Sequence, residues 1–269
     1  MSNRNHHYRD PDFDTQHSAG YTLLVKAYPD TFAYAVADNN KLLVLEDGNA
    51  LSELSSTAGG ELLSLAYKDI IITVPYTGFT FVPLSLFQPA RVADFARFLD
   101  IKDDELVFSQ SLDDENQVIF KVNKAHVDLV NKLDTQNMVF AAKGWIKAIA
   151  ANNPDNKNIY LNIEGDKVEL LNFKESKLRF YNSFEFKNEA ELVYFASFVA
   201  GELQLQPQDI TLVLSGGVDN GDKNFKYLAE FFQNIVLSNL SPLELPGEIP
   251  AHTVFTFTAL ALCGSSAVH

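Results

Sequence analysis

Ile210-Thr211-Leu212-Val213-Leu214-Ser215-Gly216-Gly217-Val218 is the stretch on which the fold turns. Its first five residues are apolar or β-branched without a break, the pattern of a strand covered on both faces. Three small residues follow. Two are glycines, which tolerate positive φ and the close approach of another backbone. Amphipathic spacing over Asn224 to Val236 predicts a helix beyond them, so Ser215-Gly216-Gly217 reads as a strand-to-helix turn.

Upstream, Asn158 to Ile163, Lys167 to Phe173 and Lys177 to Phe186 read as three strands, joined by the turns Glu164-Gly165-Asp166 and Lys174-Glu175-Ser176. Glu189 to Leu203 reads as a helix with Leu192, Phe195, Ala196 and Val199 on one face. Downstream, Ser241 to Leu245 reads as a short strand. Thr253 to Cys263 reads as a last helix stopped by Gly264.

The first half repeats this plan. Tyr21 to Ala27, Thr31 to Ala37 and Lys41 to Glu46 read as a meander with turns at Pro29-Asp30 and Asp38-Asn39-Asn40. Ala50 to Leu65 reads as a helix weakened by Ala58-Gly59-Gly60, and Asp69 to Val74 as a buried strand ended by Pro75. Thr80 to Pro83 is a short extended piece and Ala90 to Leu99 is helical. Glu105 to Ser109 and Gln117 to Val122 form a strand pair around Asp113-Asp114-Glu115. His126 to Leu133 and Phe140 to Ala150 carry further helix. The polar run Asn152-Asn153-Pro154-Asp155-Asn156 is the best boundary. The expected organisation is a mobile leader over 1–18, a subdomain over 19–154 and a second over 155–269.

Composition narrows the function. The 269 residues include 21 basic and 35 acidic side chains, a net charge of −14. Such a surface repels a phosphate backbone and an anionic membrane, so nucleic-acid partners and membrane insertion are not expected. Hydrophobic residues make up 46%, enough for a substantial core. The single cysteine, Cys263, excludes an intramolecular disulfide and reads as a buried, inert thiol. The longest apolar run, Val254 to Leu262, is about half the ~20 residues a spanning helix needs. With no signal-like segment at the start, the expected location is cytoplasmic.

Two meander-then-helix halves, with Leu214-Ser215-Gly216-Gly217 after the second buried strand, resemble the actin-like, Hsp70-like and sugar-kinase superfamily. The pattern is most similar to the compact pilus-assembly and secretion actin-like proteins. It also resembles an uncharacterised Bacteroidetes family with an actin-like ATPase fold. The resemblance covers about Tyr21 to Cys263. It implies an α/β fold of two ribonuclease-H-like subdomains around a central cleft, with nucleotide held between the halves. Ser215, Gly216 and Gly217 would then contact adenosine.

The resemblance also implies that each meander's first turn cradles phosphate, with an Asp-apolar-Gly pattern. Glycine opens backbone N–H groups to the phosphates, and aspartate helps hold the metal. In the first half Lys26 stands where the aspartate is expected and Tyr28 where the glycine is, and Pro29 lacks an N–H. In the second half Asn162 replaces the aspartate and Glu164 the glycine, although Gly165 follows. A slipped alignment would leave Gly165 near phosphate, with Asp30 or Asp166 near magnesium.

Other groups weigh less. His126 beside Asp128 lacks a nucleophile, and His252 precedes the last helix with no assigned chemistry. His6, His7 and His17 have no metal-ligand spacing. Asp103-Asp104-Glu105 and Asp113-Asp114-Glu115 read as solvated turns rather than calcium loops. Phe79-Thr80-Phe81-Val82-Pro83 reads as core rather than a partner surface. The expectation is a non-catalytic binding or scaffold protein with no cofactor, acting through a protein partner or self-association. The alternative is a divergent ATPase using ATP and Mg. A small-molecule kinase would need a catalytic carboxylate that the sequence does not offer.

Overall fold

The structure is a computed structural model that describes residues 6–55, 61–133 and 138–264. The chain is mixed α/β, with two sheet-based units. Residues 6–144 together with Leu260–Gly264 make the first unit, and Trp145–Ala259 the second.

In the first unit, β1 (His7–Arg9), β2 (Thr22–Ala27), β3 (Thr31–Asp38), β4 (Lys41–Ala50) and β5 (Asp69–Thr73) form one sheet in the order β1-β4-β3-β2-β5. The meander is antiparallel and β5 joins β2 in parallel. Phe32 to Ala37 of β3 are all buried, as a strand covered on both faces requires. Structure begins earlier than the expected leader boundary. Residues 7–9 pair with β4, and Asp10 anchors them: its N–H donates to the Leu43 carbonyl at 2.7 Å, and its carboxylate accepts from Lys41 Nζ at 2.9 Å and the Tyr8 hydroxyl at 2.9 Å. Where a helix is expected over Ala50 to Leu65, Ala50 ends β4 and the described residues beyond it form 3-10 turns at Leu51–Ser55 and Glu61–Ser64. Its Ala58-Gly59-Gly60 lies outside the described residues.

A second sheet follows, with β6 (Tyr76–Pro83), β7 (Glu105–Ser111) and β8 (Asn116–Asn123) in the order β6-β8-β7. Helix α1 (Val92–Ala96) covers one face, its Ala96 against Val82 and Ile119. On the other face Phe79, Phe81 and Phe120 surround the fully buried Phe140 at ring distances of 5.5, 6.3 and 5.4 Å. Of the stretch expected to be core, Val82 is buried, Phe79, Thr80 and Phe81 are half-buried and Pro83 is exposed. Helix α2 (Lys124–Val130) is capped by the Asn123 side chain, which accepts from the Ala125 N–H.

Helix α3 (Lys143–Ala150) starts at the changeover. The division falls at Gly144/Trp145, ahead of the polar run at Asn152 to Asn156. Trp145 explains the position: it is 1% exposed, and its ring meets Tyr181 edge-on at 6.5 Å.

In the second unit, β9 (Asn158–Glu164), β10 (Lys167–Lys174) and β11 (Lys177–Glu185) form the meander. Helix α4 (Glu189–Glu202) leads into β12 (Thr211–Gly216), which pairs with β9 in parallel. Helix α5 (Lys223–Ala229) returns the chain to β13 (Asn234–Leu237), and the sheet order is β11-β10-β9-β12-β13. The helix expected from Asn224 to Val236 thus ends at Ala229. Ile235-Val236-Leu237 is β-branched and apolar, and it lies in register with Leu212-Val213-Leu214. Ser241 to Leu245 is loop, with a single bridge residue at Glu244. Helix α6 (Ala251–Thr258) packs on β12 and continues as a 3-10 turn over Ala259–Cys263.

Candidate functional site

The Ser215-Gly216-Gly217 turn closes the parallel pair β9–β12. The Ser215 hydroxyl donates to the Leu161 carbonyl at 3.1 Å, and the Gly217 N–H donates to the Ile163 carbonyl at 2.7 Å. Gly216 has φ +87°. A Cβ there would collide with the Ile163 carbonyl oxygen and stand 2.8 Å from Asn162 Oδ1. The turn needs glycine at 216 for its backbone, and the Ser215 hydroxyl and the Gly217 N–H are engaged with β9.

Asn162 occupies the position beside it and is 1% exposed. Its Nδ2 donates to Glu164 Oε1 at 3.2 Å and to Glu169 Oε2 at 2.9 Å. Glu169 sits opposite Asn162 in the β9–β10 register. The Tyr181 hydroxyl donates to Glu169 Oε1 at 2.6 Å, and the Thr256 hydroxyl to Glu164 Oε1 at 3.1 Å. Two carboxylates thus share one amide. An aspartate at this position could not donate to either. The next turn holds Gly165 at φ +63° with open space around it, and Asp166, which is exposed.

In the first unit the corresponding β2–β3 turn is tight, with the Tyr28 N–H donating to the Thr31 carbonyl at 2.8 Å. Lys26 Nζ lies 5.2 Å from the centre of the Tyr28 ring, a cation–π contact. Pro29 and Asp30 are exposed, and the Asp30 carbonyl accepts from the Leu51 N–H at 2.9 Å. The structure gathers Ser215, Gly216 and Gly217 around Asn162 and Ile163. Gly165 and Asp166 lie at the next turn, and Asp30 belongs to the other unit.

Three groups depart from the sequence reading. Glu105 is no solvated turn residue: its side chain is 4% exposed and pairs with Lys121 Nζ at 2.7 Å. The Lys121 ammonium, with the Thr77 hydroxyl and the Lys102 N–H, holds the Glu105 carboxyl down at about 2. Lys121 also donates to the Asp100 carbonyl at 3.0 Å. His252 is buried and sits 3.3 Å from Asp219, where no partner was assigned. Cys263 is half-buried rather than buried. Asp113 does behave as a turn residue, accepting from the Glu115 and Asn116 N–H groups. His126 Nε2 lies 3.4 Å from the Pro29 carbonyl.

Sequence reasoning missed Glu169, Tyr181 and Thr256. The signal for Glu169 was present: it interrupts Val168 and Leu170 on the side of β10 opposite the core, directly across from Asn162. Tyr181 and Thr256 gave none, since their roles depend on β11 and α6 closing over the same strand end.

Residues 10–235 match the family described as a protein of unknown function, DUF3822. The chain belongs to that family. No curated protein matches it. Among solved structures, it is similar to a Bacteroides thetaiotaomicron protein with an actin-like ATPase fold and unknown function. The two are 19% identical with a TM-score of 0.78, over 93% of this chain and 99% of that one. It is also similar to the PilM–PilN type IV pilus biogenesis complex, at 13% identity and a TM-score of 0.62, over 90% of this chain and 97% of that one. A third similar structure is the cytoplasmic domain of EpsL, an inner-membrane component of the Vibrio cholerae type II secretion system. That pair is 11% identical with a TM-score of 0.48, over 90% of this chain and 94% of that one. The likeness to the Bacteroides thetaiotaomicron protein gives the DUF3822 chain the actin-like ATPase fold. Among its described residues, no helix is long and apolar enough to cross a membrane, and no group of three or more His, Cys, Asp or Glu could hold a metal ion.

Proposed function

We propose that this DUF3822 protein is a non-catalytic binding or scaffold protein that keeps the actin-like architecture with degenerate phosphate turns. The observation that carries the reading is the Asn162 amide shared between Glu164 and Glu169. A phosphate chain placed at that turn would face two carboxylates, and the described residues hold no group of three or more His, Cys, Asp or Glu that could bind a metal ion. The other turns support the same view. The Gly217 N–H is taken by Ile163, Pro29 has no N–H, and Lys26 rests on Tyr28. The residues of these turns do not suit ATP and Mg, and no cofactor is needed for the role. A cytoplasmic protein partner suits it better, since one similar fold, PilM, has been solved in complex with PilN.

One observation favours the alternative of a divergent ATPase. Gly165 keeps positive φ with open space around it, and Asp166 is exposed next to it.

Calorimetric titration of the full chain with ATP plus magnesium separates the two. The scaffold reading expects no saturable heat at millimolar nucleotide. Saturable binding that weakens in Gly217→Trp would overturn it and make hydrolysis the next assay.

A further inference from the structure

The loop that leaves the Ser215-Gly216-Gly217 turn carries the one Asn-Gly pair of the chain, Asn220-Gly221. Asp219 to Asp222 form a closed turn. The Asp222 N–H donates to the Asp219 carbonyl at 3.2 Å, and the Asp219 N–H donates to Asp222 Oδ2 at 2.9 Å. Asn220 and Gly221 are the two central residues, and both are exposed. Gly221 has φ +89°, as the third residue of a type II turn requires. Among the described residues its N–H has no hydrogen-bond acceptor.

We infer that Asn220 is a modification site, at which the chain deamidates itself through a cyclic imide. The Gly221 nitrogen gives its proton to solvent and forms a bond to the side-chain amide carbon of Asn220. The bond from that carbon to the side-chain nitrogen breaks, and the nitrogen leaves as ammonia. Water then opens the imide at either carbonyl. One opening leaves aspartate. The other leaves isoaspartate, in which the main chain runs through the former side chain. Water is the only co-reactant, and nothing is oxidised or reduced.

The local geometry favours this asparagine. The attacking N–H is not held by another group, and glycine has no Cβ to shield it. A Cβ placed at Gly221 would find only Lys226 Cε, 4.0 Å away, so the ring closes into open space. The other asparagines followed by a small residue, Asn49-Ala50 and Asn182-Ser183, lie in β4 and β11, where pairing with β3 and β10 fixes the backbone. Ring closure needs rotation about the Asn220 Cα–C bond, so the two bonds across the turn must open first. An exposed turn opens at small cost, which slows the step by no more than roughly thirtyfold against an unfolded chain.

The product alters what the loop holds. A new carboxylate between Asp219 and Asp222 adds one negative charge to a chain of net −14 and sets like charges side by side. Isoaspartate also lengthens the main chain by a methylene inside the turn. Two contacts hang from that turn: the Asp222 cap on the Phe225 N–H at 2.7 Å, and the approach of Asp219 to His252 at 3.3 Å. Modification therefore loosens the start of α5 and its tie to α6. None of this depends on whether the chain binds nucleotide or a protein partner.

Peptide mapping by mass spectrometry tests the inference, on the folded full chain aged at neutral pH beside the same chain held in urea. Asn220 should convert before any other asparagine, with the mass change of NH2 replaced by OH. Its rate in the folded chain should lie within roughly thirtyfold of its rate in urea. Isoaspartate should appear together with aspartate, and an isoaspartate methyltransferase should label the aged chain but not Asn220→Gln aged alongside. The comparison of folded and unfolded parent chains stands even if that variant fails to fold. A folded chain in which another asparagine converts first overturns the inference. So does an Asn220 that lags further behind the unfolded chain, or one that yields aspartate without isoaspartate, the mark of direct hydrolysis.

Discussion

Asn162 presents its side-chain oxygen to the backbone of Gly216, so close that an added methyl would stand 2.8 Å away. That oxygen accepts no hydrogen bond, while the nitrogen of the same amide holds two carboxylates. The amide is thus oriented by Glu164 and Glu169, and the glycine by the amide and the Ile163 carbonyl.

Gly216→Ala should therefore destabilise the second unit by about 2–4 kcal/mol, combining the cost of positive φ with overpacking against β9. Urea unfolding reads this directly. Gly165→Ala is the contrast. It pays the φ term alone, about 1–2 kcal/mol, because nothing lies within 4 Å of its Cβ position.

Asn162→Asp would place three carboxylates together. Near neutral pH the loss should be about 2–3 kcal/mol. Crowding raises the folded-state pKa of the group that takes up a proton. The variant then binds more protons folded than unfolded, and its stability falls as pH rises. Its deficit against the parent chain should shrink below about pH 5. Unfolding curves across pH check the slope; a deficit that grows on acidification would exclude the like-charge explanation.

The Glu105–Lys121 pair runs the other way. The folded Glu105 carboxyl is held at about 2, well below an unfolded glutamate near 4.5. Its contribution is complete above the unfolded value and disappears as pH falls through about 2. Lys121→Met leaves the carboxylate buried without its cation and should cost about 3–5 kcal/mol at neutral pH. In that variant acidification should recover part of the loss. Thermal unfolding of both proteins between acid and neutral pH tests the reversal.

Asp222 caps α5 by accepting from the Phe225 N–H at 2.7 Å, and it also accepts from the Asp219 N–H at 2.9 Å. Asp222→Ala should cost about 1–2 kcal/mol. Faster amide exchange at Phe225 would localise the effect to the helix start.

Both meanders and the buried strands β5 and β12 that follow them were legible because apolar runs and Asn, Asp and Gly turns are local signals. The α5–β13 segment was not. Phe225, Leu228 and Phe232 keep helical spacing straight into Ile235-Val236-Leu237, and only the free edge of β12 makes a strand of the last three. Glu105 misled for a similar reason. Next to Asp103 and Asp104 it looks solvated, and its partner Lys121 arrives from a strand sixteen residues away. At the candidate site the replacements Asn162 and Glu164 were visible in sequence. What holds them was not, because Tyr181 and Thr256 come from distant segments.

The last stretch of the chain returns to where the chain began. Leu260–Gly264 belongs to the first unit, where Leu260 is 1% exposed and the Gly264 backbone lies against Ile71 and Asp69. During synthesis, β1 to β8 leave the ribosome long before that segment exists. The first unit is therefore complete only once Leu260–Gly264 has been made, and a fragment cut after β8 lacks that segment.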